Sequence, residues 1–478
     1  MKKERNFLIM LFIAALTIRL LFSFYLQQFY FGHFEFKYAD GPQYLNPVIN
    51  LINNGEYRGD AFLDDSRYFR PPVYPFFLGI IYLVFSAANL DYVVAGIQCL
   101  LGAFSVILVY YIVCNISERK KTALISGIII ALYPFAILWT PLMYTETVQL
   151  FLILSMIYLA SNKKISIKST IMQGALVGLI LLTKQYMALV IIIPLYIILF
   201  TATLTFKKKV IHLCTLMFSF ILVLSPWVLR NYMSSGKVIV FFGKTSGLRY
   251  ALDDAVAFGQ FANKFDENTT EYIKSVVETG SVKFVKHPVF LAAHRKDIDA
   301  ATKLAYQCGG SFLEARQHTL PGQPPYRNCN QEVVRKFDRL SQQFWQEVPF
   351  WESMETRIDA LWKIVSKSDL VNKNLRMSKN DLLKYGLFKY RILLLVLGFA
   401  GMLNLLLREK QHQQKVLTAS ILITAISFYM FFCLILVSAE MRYLLTPDLL
   451  ISLFSGVIPA ELFGKISQRL KICINNVT

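Results

Sequence analysis

Ionisable residues recur where the apolar segments of this 478-residue chain begin or end. Asp40 follows the first apolar segment, Glu146 opens a later one within YTET, and Lys184 ends another within LLTKQY. Arg230 ends a fourth within PWVLRNY, and Arg442 precedes the last within EMRYLLTP. Ionisable groups at membrane depth are costly, so they usually face a bundle interior or a cavity. Isolated carboxylates with several cations at one membrane face suit an anionic, membrane-embedded substrate, and a lipid phosphate fits that description.

Transfer of a group from a lipid phosphate to a hydroxyl asks for these residue types. The hydroxyl needs a general base, and an Asp within about 3 Å can serve because proton transfer is concerted with attack. Asp40 is the candidate for this base. Phosphate is a weak base that leaves without a general acid, but the negative charge growing on it needs cations such as Lys184, Arg230 or Arg442.

Each of these residues also has a simpler interpretation. Lys184 and Arg230 could snorkel to the membrane interface, where a long side chain keeps its charge in water. Asp64 and Asp65, within FLDDSRYFR, could belong to a solvated charged run that contributes little to stability. The functional interpretation rests on all of them gathering at one membrane face.

The composition requires that these residues be positioned by membrane-spanning helices. The chain is 55% hydrophobic with a mean hydropathy of +0.46, and 17% of its residues are charged, against roughly 25% in soluble domains. The apolar residues sit in blocks of about twenty, long enough to cross about 30 Å of hydrocarbon. This pattern excludes a water-soluble globular protein and predicts a polytopic membrane protein.

Ten spans are predicted, with both termini in the cytoplasm. Six segments then lie inside, and each carries three Lys or Arg residues, as the positive-inside rule requires. They account for +15 of the formal net charge of +19, so nucleic acid is not a predicted partner. The predicted spans are 7–26, 92–114, 122–141, 144–160, 169–183, 185–205, 210–229, 386–407, 416–438 and 443–460.

The remaining long segments are predicted to face outside. They divide the chain into a membrane module over 1–231 with a first loop at 27–91, a loop domain over 232–385, and terminal spans with a cytoplasmic tail over 386–478. The apolar stretch 71–90 is predicted to lie along the outer membrane surface, because a span there would invert every later loop. The segment FWQEVPFWESMETRIDALWKI mixes tryptophans with charges and predicts a helix at the headgroup level.

Two of the seven cysteines, Cys308 and Cys329, fall together in the large outer loop. An outer compartment is oxidising, which makes the pair a disulfide candidate. Two free thiols are the alternative, because sequence spacing does not determine geometry. A zinc site is not predicted, since none of the six His residues forms a ligand cluster with them.

The order of these features resembles the GT-C glycosyltransferases that use polyprenyl-phosphate sugars, a group that includes protein O-mannosyltransferases and the lipid A aminoarabinose transferase. The resemblance spans roughly residues 1–250 and 385–450. Its pieces are Asp40 followed by YLNPVINLINNGEY, then RPPVYPFFLGIIY, TETVQLFLIL, LLTKQYMAL, PWVLRNYMSSGKV and EMRYLLTPDLL. It implies an all-α bundle of about ten transmembrane helices with juxtamembrane helices on the outer surface and a small extracytoplasmic loop domain.

By this resemblance, Asp40 is the catalytic carboxylate, Lys184 contacts the donor phosphate, and Arg442 with Tyr443 lines the same cavity. Many relatives carry two adjacent acidic residues at the start of the first loop, whereas Gly41 follows Asp40 here. A second carboxylate must therefore come from elsewhere in the chain. The candidates are Asp64, Asp65 and Glu146.

The predicted function is glycosyl transfer from a polyprenyl-phosphate sugar to an extracytoplasmic lipid, glycan or protein acceptor at a bacterial inner membrane. No Gly-rich nucleotide motif and no HExxH occurs, so no soluble cofactor is predicted. A divalent ion that bridges Asp40 or Glu146 to phosphate stays open. The alternatives are a flippase or transporter for lipid-linked sugars, and a glycan polymerase or ligase with a diphosphate-linked donor.

Overall fold

The structure, a computed structural model, is all-helical over the residues that it describes. Asp40 lies outside those residues, and so do the side chains of Asp64 and Asp65. The described ranges are 2–28, 33–37, 41–59, 64–85, 89–162, 164–240, 253–265, 269–317, 329–366, 381–408, 411–436 and 441–475.

The membrane module consists of ten α-helices, with short 3-10 and π segments between some of them. The π segment Phe22–Leu26 extends the first helix, and 3-10 helices cover Asp64–Arg67 and Gln185–Ile191. The helices are α1 Lys2–Leu21, α2 Gly41–Asn54, α3 Val73–Phe85, α4 Leu90–Ser117, α5 Lys120–Ala131, α6 Pro134–Trp139, α7 Glu146–Ala160, α8 Ile167–Leu181, α9 Ile192–Phe200 and α10 Phe206–Ser235.

Eleven further helices follow in the second half of the chain. The π segment Phe432–Leu436 continues the ninth of these. They are α11 Asp253–Ala262, α12 Thr269–Thr279, α13 Pro288–Ala293, α14 Arg295–Cys308, α15 Gly310–Gln317, α16 Asn330–Glu347, α17 Phe350–Val365, α18 Asp381–Arg408, α19 His412–Phe431, α20 Met441–Ser452 and α21 Val457–Asn475.

Six of the described helices are long and apolar enough to cross a membrane. Four expected spans correspond to shorter or broken helices instead. The expected span 122–141 breaks before Pro134, which begins α6 where its missing N–H costs nothing. The expected span 443–460 falls within the long apolar helix Met441–Gln468, where a turn at 453–456 separates α20 from α21. The six long helices are Glu4–Leu26, Leu90–Ser117, Phe206–Ser235, Gly386–Arg408, His412–Ile435 and Met441–Gln468.

Helix α4 is the centre of the membrane module, and α1, α5 and α7 pack along it. Arg19 of α1 is buried against α4, where a Cβ on Gly102 would lie 2.6 Å from its Nε atom. Its Nη1 donates to the carbonyls of Ala15 at 3.0 Å and Ala131 at 3.4 Å. Ala131 ends α5, so the guanidinium sits at the negative end of that helix.

Helices α11 to α16 form a loop domain (residues 253–348) with a core of its own. Phenylalanine dominates this core, and it is separate from the core of the spans. A disulfide joins Cys308, the last residue of α14, to Cys329, which precedes α16, with a Cα–Cα distance of 5.7 Å. The core phenylalanines include Phe258, Phe261, Phe265, Phe284, Phe290, Phe312, Phe337 and Phe344.

Helix α17 connects the loop domain to the spans. Its Arg357 donates from Nη1 to the carbonyl of Asn263 at 2.9 Å, and its Thr356 hydroxyl donates to the carbonyl of Lys264 at 3.1 Å. On the other side, the Sγ atom of Cys433 donates to the carbonyl of Arg357 at 2.7 Å. Helix α17 therefore attaches the loop domain to the span His412–Ile435.

Candidate active site

Lys184 stands at a break between helices. Helix α8 ends at Leu181, Lys184 itself has an extended backbone, and the 3-10 helix begins at Gln185. The carbonyl of Leu182 accepts a hydrogen bond of 3.1 Å from the N–H of Val73, the first residue of α3. The break therefore turns Lys184 out of the helix and places it next to the start of α3.

Glu146 is the ion-pair partner of Lys184. The Lys184 Nζ atom lies 2.6 Å from Glu146 Oε1, and the two side chains are only 9% and 2% exposed. The Thr145 hydroxyl donates to the other carboxylate oxygen at 3.3 Å. Glu146 is the first residue of α7, where the helix dipole favours a negative charge. The secondary-carboxylate candidate and the donor-binding candidate are thus in direct contact.

Two tyrosines enclose the ammonium group of Lys184. Its Nζ atom lies 4.9 Å from the ring centroid of Tyr443 and 5.2 Å from that of Tyr186, within the range of cation–π attraction. The two rings contact each other edge to face at 5.1 Å. Among the described residues, the buried hydroxyl of Tyr186 has no hydrogen-bond partner.

Arg442 brings a second cation to the same place. Its guanidinium carbon lies 5.0 Å from the ring centroid of Tyr443 and 5.2 Å from that of Tyr144. Its Nη2 donates to the Tyr443 hydroxyl at 3.2 Å. We call Tyr144, Glu146, Lys184, Tyr186, Arg442 and Tyr443 the site cluster. The cluster holds two cations and one carboxylate, so its net charge favours an anion.

Helix α2, which begins directly after Asp40, also reaches the site cluster. The Tyr44 ring lies 6.1 Å from that of Tyr144. A Cβ on Gly41 would lie 3.6 Å from the Cβ of Met143. Gly41 is therefore packed beside Met143, which lies three residues before Glu146. The position of Asp40 itself is outside the described residues.

Arg70, one of the charged residues of FLDDSRYFR for which a solvated run was the simpler interpretation, belongs to this region. Its guanidinium carbon lies 4.4 Å from the ring centroid of Tyr44, and its Nη1 donates to the Tyr44 hydroxyl at 3.2 Å. Its Nη2 donates to Gln43. The two buried prolines that follow, Pro71 and Pro72, restrict the backbone here to an extended conformation. This pair was the sequence signal that Arg70 has a fixed position.

Arg230 occupies a different position from the one expected for a phosphate ligand. It donates to the carbonyls of Arg67 at 2.8 Å and Tyr57 at 2.7 Å, both in the first loop. Its guanidinium carbon also lies 5.2 Å from the ring centroid of Trp227. These contacts clamp the first loop onto α10, and within the described residues no contact joins Arg230 to the site cluster.

A buried ionic network that sequence reasoning missed supports α20, the helix that carries Arg442 and Tyr443. Arg391 of α18 binds Asp448 of α20 with two hydrogen bonds, Nε to Oδ2 at 2.6 Å and Nη2 to Oδ1 at 3.1 Å. Tyr429 donates to the same carboxylate. Arg391 and Asp448 fall inside the expected spans 386–407 and 443–460, and a charge inside a span was the signal for a functional or positioning role.

The described residues contain no cluster of three or more side chains that could hold a metal ion. The one carboxylate of the site cluster, Glu146, is already paired with Lys184. Asp40, the other residue considered as a metal ligand, lies outside the described residues.

Part of the chain matches a known family. Residues 69–229 match the sequence profile of dolichyl-phosphate-mannose-protein mannosyltransferases. The matched segment contains Arg70, Glu146 and Lys184, and it ends before the loop domain. None of the curated proteins matches the sequence.

The fold is similar to that of solved membrane glycosyltransferases. The archaeal oligosaccharyltransferase AglB from Archaeoglobus fulgidus, in complex with an inhibitory peptide and a dolichol-phosphate, aligns with a TM-score of 0.52 at 13% identity. The alignment covers 99% of this chain and 52% of AglB, and the apo form gives 0.52 at 14% identity, with 98% and 52% covered. ArnT from Cupriavidus metallidurans in the apo state aligns over 95% of this chain and 78% of its own, with a TM-score of 0.38 and 13% identity.

This chain spans about half the length of the AglB chains that it matches. The family match over 69–229 and the similarity of fold to AglB confirm the resemblance to GT-C glycosyltransferases.

Proposed function

We propose that this integral membrane protein, which has the fold of the GT-C glycosyltransferases, transfers a sugar from a polyprenyl-phosphate donor to an acceptor outside the cytoplasm. The observation that carries the proposal is the site cluster, in which Lys184 and Arg442 are held at helix ends by a buried carboxylate and tyrosine rings. Two cations in a low-dielectric site bind a phosphate far more strongly than they would in water.

The residues would divide the reaction between them. The acceptor hydroxyl oxygen forms a new bond to the anomeric carbon of the sugar, and the bond from that carbon to the phosphate oxygen breaks. The hydroxyl proton passes to the carboxylate of Asp40, the residue directly before α2 in the sequence. The electron pair of the broken bond remains on the lipid phosphate, where Lys184 and Arg442 neutralise the added negative charge.

Tyr443 and Glu146 act on these cations rather than on the sugar. Tyr443 contacts both, since its ring faces Lys184 and its hydroxyl accepts from Arg442. Glu146 holds the Lys184 ammonium group in place before the donor arrives. For Arg230, the contacts with the first loop support a positioning role in place of the phosphate binding expected from the sequence.

Orientation and location belong to the same proposal. The basic residues of the predicted inner loops support cytoplasmic termini, and the proposal has the site cluster at the outer face of a bacterial inner membrane. The acceptor would be selected by the loop domain, because the family match ends before it.

Native mass spectrometry of lipids that copurify with the protein tests this function without a guess about sugar or acceptor. We expect Asp40→Asn to trap a polyprenyl phosphate that still carries the sugar, while the wild type holds the bare lipid phosphate. Asp299→Asn, which removes an exposed carboxylate of the loop domain, is the matched control and should behave as the wild type does.

Two results would count against the proposal. If the wild type and Asp40→Asn retain the same lipid species, Asp40 has no catalytic role and the flippase interpretation is favoured. If both proteins are free of polyprenyl lipids under mild extraction, the assignment of the site cluster to a lipid phosphate is wrong.

A further inference from the structure

Helix α17 has three distinct faces. Its buried face comprises Ser353, Thr356, Arg357, Ala360 and Ile364. A second face carries the acidic residues and Lys363 and is exposed to solvent. The third face is apolar and also exposed: Trp351, Ile358 and Trp362 are 81%, 64% and 71% accessible.

The three apolar residues form a continuous stripe. Spacings of seven and eleven residues return to the same side of an α-helix, so Trp351, Ile358 and Trp362 lie in one row. We call this row the Trp stripe. The exposed ring of Phe350, 5.4 Å from that of Trp351, extends it at the start of the helix. Large exposed apolar patches in a folded domain mark contact with a partner or a membrane.

Contacts with two spanning helices determine where α17 lies. Cys433, near the end of the span His412–Ile435, binds the carbonyl of Arg357. Arg391 of the span Gly386–Arg408 donates from Nη1 to the carbonyls of Ile364 at 3.3 Å and Val365 at 2.7 Å. The middle and the C-terminal end of α17 therefore contact spanning helices.

The surface beside α17 continues into lipid-facing residues. Ile435, two residues after Cys433, is exposed and apolar on the spanning helix itself. The charged residues Glu352, Glu355 and Asp359 run alongside the Trp stripe, with Glu355 in the same row as Trp362, and all three are exposed to solvent. An apolar row with tryptophans beside a charged row is the pattern of a helix that lies in the membrane interface.

We propose that the Trp stripe is inserted among the headgroups of the outer leaflet and holds the loop domain against the membrane surface. The lipid bilayer is the occupant favoured by the structure, because α17, which carries the stripe, is bonded to two spanning helices whose exposed residues include Leu393 and Ile435. This proposal concerns the loop domain and does not depend on the function proposed for the site cluster.

Tryptophan fluorescence tests the proposal in the full-length protein. The chain has five tryptophans, and Trp139 and Trp227 are buried. The protein is reconstituted into nanodiscs of phosphatidylcholine whose acyl chains are brominated near the headgroup, because bromine quenches tryptophan at short range. We expect the brominated lipid to quench a fraction of the wild-type emission about twofold larger than that in Trp351→Phe/Trp362→Phe. Aqueous iodide should quench the two proteins to a similar extent.

Trp139→Phe is the control, since it removes one buried indole and should leave the lipid-quenched intensity unchanged. The proposal is overturned if iodide quenches the emission that the double variant lacks while the brominated lipid does not. That result would place the stripe in water and favour a soluble acceptor or a second protein as its partner.

Discussion

At the scale of single residues, burying Glu146 and Lys184 carries a large desolvation free energy. Removing both charges from water costs several kcal/mol per ion, and their mutual attraction repays this only with good geometry. A hydrophobic pair of similar volume would stabilise the protein as well or better. The ion pair is therefore best explained by what Lys184 does when an anion enters beside Arg442.

Single and double substitutions separate stability from donor binding at this pair. Lys184→Met leaves Glu146 buried without its partner and should cost about 3–5 kcal/mol of stability. Adding Glu146→Gln removes the unpaired charge, so the double variant should recover most of that loss. Donor affinity should stay at least about tenfold below the wild type in both variants, since the ammonium group is absent.

Thermal unfolding in detergent and titration with the lipid donor measure the two quantities. Lys209→Met is the control, because Lys209 is exposed and far along the chain from the site. Wild-type donor affinity in the double variant would mean that Lys184 is a structural residue.

The sequence singled out both members of this pair but not their contact. Hydropathy locates the ends of helices, and it contains no information about which ends meet in the bundle. For the same reason, the sequence did not show the contact between Arg70 and Tyr44, which belongs to a helix elsewhere in the chain. Arg230 was expected at the phosphate because of its place at a span end, whereas its partners are two backbone carbonyls of the first loop. A backbone partner leaves no trace in the side chains of a sequence.

At the scale of elements, the position of α20 depends on its buried carboxylate, Asp448. Arg442 and Tyr443 lie in its first turn, and Asp448 near its middle is 0% exposed and bonded to Arg391. Arg391 also caps the last carbonyls of α17. The ion pair therefore joins the helix that supports the site cluster, a spanning helix and the connection to the loop domain.

Asp448→Asn should destabilise the protein by about 3–5 kcal/mol, because it leaves the Arg391 guanidinium buried without a counter-charge. Arg391→Lys keeps the charge and loses the two-pronged geometry, so its cost should be smaller. The midpoint of thermal unfolding in detergent measures both, with the exposed Asp338→Asn as control. An unfolding midpoint for Asp448→Asn equal to that of the control would contradict the role given to this pair.

The sequence predicted which segments form apolar helices, but it did not predict where those helices break. The long apolar helices over 92–114, 210–229, 386–407 and 416–438 were found close to their expected positions. The breaks at Pro134, at Lys184 and between α20 and α21 were not resolved, since a twenty-residue hydropathy window averages over them. These breaks expose backbone and turn side chains inward, which is why Lys184 is part of the site.

At the scale of the whole molecule, the loop domain meets α17, its connection to the spans, at a buried lysine. Lys264 follows α11, and its carbonyl accepts the hydrogen bond from Thr356 of α17. Its ammonium group lies 5.3 Å from the ring centroid of Trp345 and donates to the carbonyl of Gln260 at 3.3 Å. Burial, with the nearby Arg357 acting in the same direction, lowers the pKa of Lys264 from its ordinary value of 10.5 to about 8.

A lowered lysine pKa makes the loop domain less stable when the lysine is charged. Between pH 8 and 10.5 the unfolded chain binds more protons than the folded one, so the stability contribution of Lys264 improves as the pH rises through that window. Below pH 8 the full penalty is present. Lys264→Met removes the charge and should stabilise the loop domain at pH 7 by about 2–3 kcal/mol.

The pH dependence of that gain is the decisive quantity, because a change in packing alone would not titrate. Hydrogen exchange of the amides in α11 and α16, measured on the full-length protein, reports the opening free energy of the loop domain. The advantage of Lys264→Met over the wild type should shrink as the pH is raised from 7 to 10, where the wild-type lysine is already neutral. The exposed Lys303→Met should show no such change. An equal advantage at both pH values would show that the ammonium group of Lys264 does not strain the junction between the loop domain and α17.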